Sequence, residues 1–296
     1  MQDMAARDQA VWLLRALWFV LPVTAGAAIA DALDGFADGA RLAIVLGAWL
    51  VWALGLAATA VLLPVSLTAI RILTPAAVVA TAWAIATAGG SAPGIIGLVV
   101  AGAAATVAFV AFVGDRFVDG ASYGDERRML LRPPTRLLLG PVPVAWALTV
   151  ASAVTGPLLL AHQRWMLGSI LTVVAIPIAA LGARALHQLS LRWIVFVPTG
   201  MVLHDLGVLT EPVLFRRTAI ERLGVAIAGT PAKDLSNRAA GLLLECELTD
   251  PAPLGLRRID RSQATAELTD VRRFLFAPSR PGALLDEAEG RRIAVD

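Results

Sequence analysis

Residues 166–186 read MLGSILTVVAIPIAALGARAL, and within a few positions the chain becomes LRWIVFVPTGMVLHD. The first stretch is long and apolar enough to cross a bilayer as a helix, which takes about 20 predominantly apolar residues. The second carries β-branched and aromatic residues on either side of Pro198-Thr199-Gly200, the pattern of a strand, a turn and a strand. A chain built around this passage joins two architectures at one point. The residues before it read as lipid-embedded helix, and those after it read as a small water-soluble β-rich domain.

Composition supports the split. The chain is 57% apolar and 16% charged with a mean hydropathy of +0.72, whereas soluble domains are about 25% charged. Charge is also unevenly placed, because several long windows before residue 186 hold no ionisable group. The sequence predicts six spans, at 12–33, 42–63, 72–87, 95–113, 137–161 and 166–186. A cleaved signal peptide is the alternative for the first, since Ala28-Ile29-Ala30 has the small-x-small form of a cleavage site. Asp3 and Asp8 weaken the positive n-region that such a peptide needs, and the remaining topology is the same either way.

Arginine placement sets the expected orientation, because positively charged loops stay cytoplasmic. One side collects Arg7, Arg71, Arg116, Arg127, Arg128, Arg132, Arg136, Arg184 and Arg192, and the other holds Arg41 and Arg164 beside Asp31, Asp34 and Asp38. The reading is a multi-pass protein of a bacterial inner membrane with both termini in the cytoplasm. Its divisions are a four-span region at 1–114, a cytosolic Arg-rich loop at 115–136, a two-span hairpin at 137–187 and a cytosolic domain at 188–296. Gly97, Ala101 and Ala105, and likewise Ala175, Ala179 and Ala183, give small-residue lines for helix packing. Pro22, Pro143 and Pro177 are expected to bend their helices. Arg15, Asp31, Arg71 and Arg184 fall near span ends, where side chains reach the interface, so the span centres are effectively uncharged. Thr24, Thr59, Thr81, Thr106, Thr149 and Ser152 are expected to bond to their own helices.

In the last third, strands are expected at 193–197, 201–204, 213–216, 219–227, 242–248, 254–259, 264–268 and 271–276, with 229–234 as a loop. Leu242, Leu244, Cys246 and Leu248 alternate with Glu245 and Glu247, which predicts Cys246 in the core and both glutamates on the solvent face. Ser279 as N-cap and Pro281 in the first turn open a C-terminal helix. Short strands followed by one helix resemble the bacterial PH-like domain, on residues 191–203 as its opening hairpin, 220–223 as a later strand and 276–282 as the passage into the helix. The resemblance implies an antiparallel β-sandwich or partly closed barrel plugged by that helix, and a domain of binding-module type. The first four spans resemble only multi-span membrane proteins of GC-rich bacteria such as actinobacteria.

In lipid-binding PH domains the headgroup is held by basic residues around the first hairpin loop, whereas Pro198-Thr199-Gly200 is uncharged. The candidates for contact with membrane lipid or a protein partner are therefore Arg216 and Arg217, Arg257 and Arg258 with Arg261, and Arg272 and Arg273. Acidic residues match these pairs across the domain, so ordinary solvated faces are the alternative.

A net charge of +2 without a continuous basic stripe sets nucleic acid aside. One cysteine and three scattered histidines, His162, His187 and His204, give no disulfide or metal constellation. The sequence contains no phosphate-binding glycine loop, HExxH or nucleophile elbow. Asp125-Glu126 beside Arg127-Arg128 reads as a self-paired loop, and His162 with Trp165 as an interfacial anchor. No residue is assigned to catalysis, a cofactor or a metal. The expectation is a non-catalytic membrane scaffold or assembly protein whose cytosolic domain recruits a protein partner, or itself. The alternatives are a transporter or lipid-handling subunit regulated by that domain and, more remotely, a lipid-modifying enzyme using Asp125 and Glu126.

Overall fold

The computed structural model describes residues 2–260 and 263–296, with side chains for 4–257 and 267–296. The chain divides into a helical unit, 1–117 with 143–187, and a β-rich unit, 118–142 with 188–296. Among the described residues six helical stretches are long and apolar enough to cross a membrane: Met4–Ala32, Asp38–Ala60, Pro64–Ala88, Ala92–Phe109, Pro141–Ala161 and Trp165–Ser190.

The first stretch is two helices, α1 (Gln2–Phe19) and α2 (Leu21–Ala32), with Pro22 in the opening turn of α2. Then come α3 (Asp38–Ala60), α4 (Pro64–Ala88), α5 (Ala92–Phe109) and α6 (Ala111–Asp119). The apolar run predicts a fourth span reaching residue 113, but Val110 is extended and α5 ends before it. The Arg-rich segment 115–136 is not simply a loop: it carries the end of α6, a strand β1 (Arg127–Leu130) and the start of a short helix α7 (Thr135–Leu139). The fifth and sixth spans are α8 (Pro141–Ala161) and α9 (Trp165–Ser190). Pro177 lies inside α9, whereas Pro143 falls in the first turn of α8, where the absent N–H costs little.

Small residues and paired indoles hold the helices together. Trp18 Nε1 donates to the Trp52 carbonyl at 2.9 Å and Trp52 Nε1 donates to the Trp18 carbonyl at 3.0 Å, which stitches α1 to α3. Gly55 lies under the Trp18 ring, so close that a Cβ there would collide with it. On α5, Gly94, Gly97, Ala101, Ala104 and Ala108 form the buried stripe. Gly97 sits against the Ala25 backbone of α2, and Ala105 is only half-buried. In the α8–α9 hairpin, Gly156 meets Thr172, Gly168 meets Leu160 and Gly182 meets Thr149, while Ala175 is buried and Ala179 and Ala183 are half-buried. All six in-span hydroxyls named above donate to carbonyls of their own helices.

The β-rich unit continues with β2 (Trp193–Val197), β3 (Gly200–His204), β4 (Val213–Arg216), a 3₁₀ turn at Arg217–Ala219, β5 (Ile220–Val225), β6 (Lys233–Asp234), β7 (Leu244–Asp260), β8 (Gln263–Phe276) and α10 (Pro281–Gly290). One sheet has the order β1-β2-β3-β4 and the other β5-β7-β8-β6, all antiparallel except β6 on β8. The four strands expected between 242 and 276 are the two long strands β7 and β8. A register shift between Glu247 and Ala252 absorbs the irregular residues around Pro251, so the ladder continues past them.

Both sheets feed one core, in which Ile194, Phe196, Met201 and Phe215 meet Leu223, Leu244, Cys246, Phe274 and Phe276, closed by Leu284, Ala288 and Ile293. Phe215 stacks on Phe274 across the sheets at 4.8 Å. Ser279 does not cap α10. Its N–H bonds to the Leu130 carbonyl, and Arg280 occupies the cap position.

Candidate functional site

The sheet β5-β7-β8-β6 carries a polar face that alternation alone misreads. Glu245 and Glu247 point away from the core as expected, yet they are 2% and 7% exposed. Cross-strand register places Arg222 of β5 and Arg273 of β8 on either side of Glu247. Arg273 Nη2 donates to Glu247 Oε1 at 2.5 Å. Arg222 lies 3.8 Å from Glu247, 3.9 Å from Glu245 and 3.0 Å from Asp296. Thr230 donates to Glu245 at 3.2 Å. A buried carboxylate is tolerated only with such partners, and here they close over it. The bond to Glu247, and then that group's charge, raise the Arg273 pKa above its ordinary value. Beneath them burial, reinforced by Glu245 and Glu247, pushes the Cys246 thiol well above the usual thiol range.

Beside this network β6 runs parallel to β8 and opens a cleft of about 490 Å³ lined by Pro231, Lys233, Thr269, Asp270, Val271, Arg272 and Arg273. Arg272 is fixed by the Leu248 carbonyl at 3.3 Å and by Glu221 at 3.3 Å. The sequence pattern puts Lys233 in a loop. A two-residue parallel pairing has no period of its own, so no sequence signal places it beside Arg272.

The remaining predicted contact residues lie elsewhere in the unit. Arg216 and Arg217 are exposed at the β2–β3 turn: Arg216 pairs with Gly200, and the Arg217 N–H donates to the Thr199 carbonyl at 2.9 Å. The uncharged turn thus lies beside the backbone of two exposed arginines, one ending β4 and one opening the 3₁₀ turn. Arg257 is exposed on β7, the side chain of Arg258 lies outside the described residues, and so does Arg261. The outer face of the other sheet bears a hollow of about 350 Å³. In it Trp193 stacks on His204 at 4.7 Å, with the Arg128 guanidinium 5.6 Å from the indole.

Asp125 and Glu126 do not converge on one another. The Asp125 carbonyl accepts from Arg291 at 2.6 Å, and the Glu126 carboxylate accepts from Arg128 at 3.3 Å. His162 packs against Phe36 at 4.9 Å. Among the described residues no group of three or more His, Cys, Asp and Glu could hold a metal ion.

The helical unit also contains a polar cluster that sequence position concealed. Asp115 is 0% exposed and Arg7 2%, with Arg71 within electrostatic range of Asp115. Asp8 pairs with Arg116 at 2.7 Å, and Thr68 Oγ1 bonds His187 Nδ1 at 2.8 Å. Each residue falls at a span end in sequence, and only packing pairs α1 with α6, α4 with α6 and α4 with α9.

Comparison of the chain with protein-family models, with curated proteins and with solved structures finds no match.

Proposed function

We propose that this is a non-catalytic scaffold or assembly protein of a bacterial inner membrane whose β-rich domain, of PH-like type and on the cytoplasmic side, recruits a protein partner or a second copy of itself. The observation that carries this reading is the way the domain is connected. It is not a tail on one linker, because the chain passes between the units at 117–118, 142–143 and 187–188, and the inserted segment supplies β1. A domain joined to the spans by three passages of chain stays tethered to them, which suits recruitment. Two sheets sharing one core closed by a C-terminal helix support the PH-like assignment, and the exposed Arg216 and Arg217 support contact with anionic lipid or partner.

Affinity purification of the full chain from native membranes in mild detergent, with mass spectrometry of co-purifying proteins and lipids, tests the reading. A stoichiometric protein partner or a defined homo-oligomer is expected. A monomer recovered without any protein removes the recruiting role. A fragment starting at residue 188 is unsuitable, because it lacks β1.

A second reading, a transporter or lipid-handling subunit regulated by the β-rich domain, is favoured by the buried Arg7 and Asp115 and by the half-buried Arg71 within electrostatic range of Asp115. It predicts that Asp115→Asn abolishes cellular function without lowering thermal stability. Loss of both together would mark the cluster as structural.

A further inference from the structure

We infer that the cleft between β6 and β8 binds the phosphate of a small phosphomonoester. Three cationic residues, Lys233, Arg272 and Arg273, line about 490 Å³ together with Thr269, a volume within the ordinary range of small-ligand sites, roughly 300–1,000 Å³. Lys233 is the only lysine in the chain, is exposed, and forms no salt bridge among the described residues. Arg273 spends one nitrogen on Glu247, which leaves its other guanidinium donors unspent among the described residues while its position is fixed by a carboxylate that is 7% exposed. Arg272 is likewise oriented by the Leu248 carbonyl and Glu221. A preorganised guanidinium pair with an ammonium is the donor set that matches a phosphate's oxygens.

Charge bookkeeping narrows the ligand. Asp270 lines the same cleft, and Glu221 and Glu247 partner its arginines, so the local sum is near zero. Long-range attraction to a broadly anionic surface is therefore weak, and recognition rests on short charge-assisted hydrogen bonds, which favour a compact dianion. The register shift of β7 at Glu247–Ala252 lies opposite Arg272, and irregularities of this kind re-aim side chains at sheet edges. This site is independent of the recruiting role proposed above. The phosphomonoester is either a soluble metabolite or the headgroup of phosphatidic acid.

The test uses the full chain in nanodiscs of phosphatidylcholine, titrated calorimetrically with inorganic phosphate and with glycerol 3-phosphate, and separately in nanodiscs containing phosphatidic acid. Saturable binding of either soluble probe, weakened about tenfold or more by Lys233→Met and by Arg272→Gln but not by Arg257→Gln, is the result expected for a soluble ligand. Retention of phosphatidic acid through detergent purification, with the same variant pattern and no soluble binding, assigns the site to the headgroup. Absence of both, or binding that the Lys233 and Arg272 variants leave intact, overturns the proposal. Arg273 is left unaltered, because its loss would strand Glu247 in the sheet.

Discussion

Arg192 and Asp205 form a buried, bidentate ion pair, their side chains 6% and 2% exposed, with Nε and Nη2 of Arg192 2.9 and 2.7 Å from the Asp205 carboxylate. The same guanidinium donates from Nη1 to the Arg132 carbonyl at 3.0 Å, and Asp205 also accepts from the Gly207 N–H at 3.1 Å. One pair thereby ties the chain leaving β1, the start of β2 and the turn after β3. Arg192→Ala or Asp205→Ala should destabilise the β-rich unit by about 3–5 kcal/mol, since each leaves a buried charge uncompensated. Arg192→Lys should fail to rescue, because an ammonium cannot reproduce the fork. Thermal unfolding combined with limited proteolysis of the unit reads this directly, and a variant as resistant as the parent would contradict it.

Glu247 lies between Arg222 and Arg273 and is nearly buried, whereas Glu221 pairs with Arg272 at a site where both are about half exposed. Glu247→Ala should cost about 1–3 kcal/mol, the loss of charge-assisted bonds to arginines that water can still reach, and Glu221→Ala no more than ~1 kcal/mol. Chemical denaturation of the two variants side by side measures the difference.

Gly97 packs so closely on α2 that an added Cβ would lie 2.7 Å from the Ala25 Cα, a backbone atom that cannot swing away. Gly97→Ala should lower stability in detergent by about 1–3 kcal/mol. Gly102, on the same helix with nothing within 4 Å of its Cβ direction, is the matched control, and Gly102→Ala should be neutral or slightly stabilising.

Cys246 is fully buried and its thiol pKa is raised, mainly by burial and then by Glu245 and Glu247. A folded-state pKa above the unfolded one means that the stability from a neutral thiol is complete below the unfolded thiol pKa of about 8.5 and declines as pH rises past it. Iodoacetamide at pH 8 should therefore leave Cys246 unmodified in the folded protein and label it on denaturation, as scored by mass spectrometry. Labelling at equal rates in both states would refute its placement.

The arginine tally predicts the α8–α9 loop outside and the β-rich unit inside. In a Cys246→Ser background, His162→Cys should react with a membrane-impermeant maleimide on intact cells, and Arg216→Cys only after lysis. The opposite pattern would invert the orientation.

The spans, the change of period near residue 190, the core position of Cys246 and the terminal helix were legible in the sequence, because each rests on a local period or on a run of apolar residues. The hydroxyls bonded to their own helices were legible for the same reason, since a threonine's partner lies one turn away. Only tertiary structure decided that Arg127–Leu130 is a strand, as its partner β2 lies beyond a two-helix hairpin. The burial of Glu245 and Glu247 was also beyond alternation, which separates the two faces of a strand but does not say what covers the outer one. Here Arg222, Arg273 and Asp296 arrive from three other segments. Lys233 beside Arg272 and Asp115 within range of Arg71 have the same origin. Charge pairing is non-local and has no period, so the sequence determined the six long apolar helices and the β-rich core, while the chain's path in space decided which charges meet.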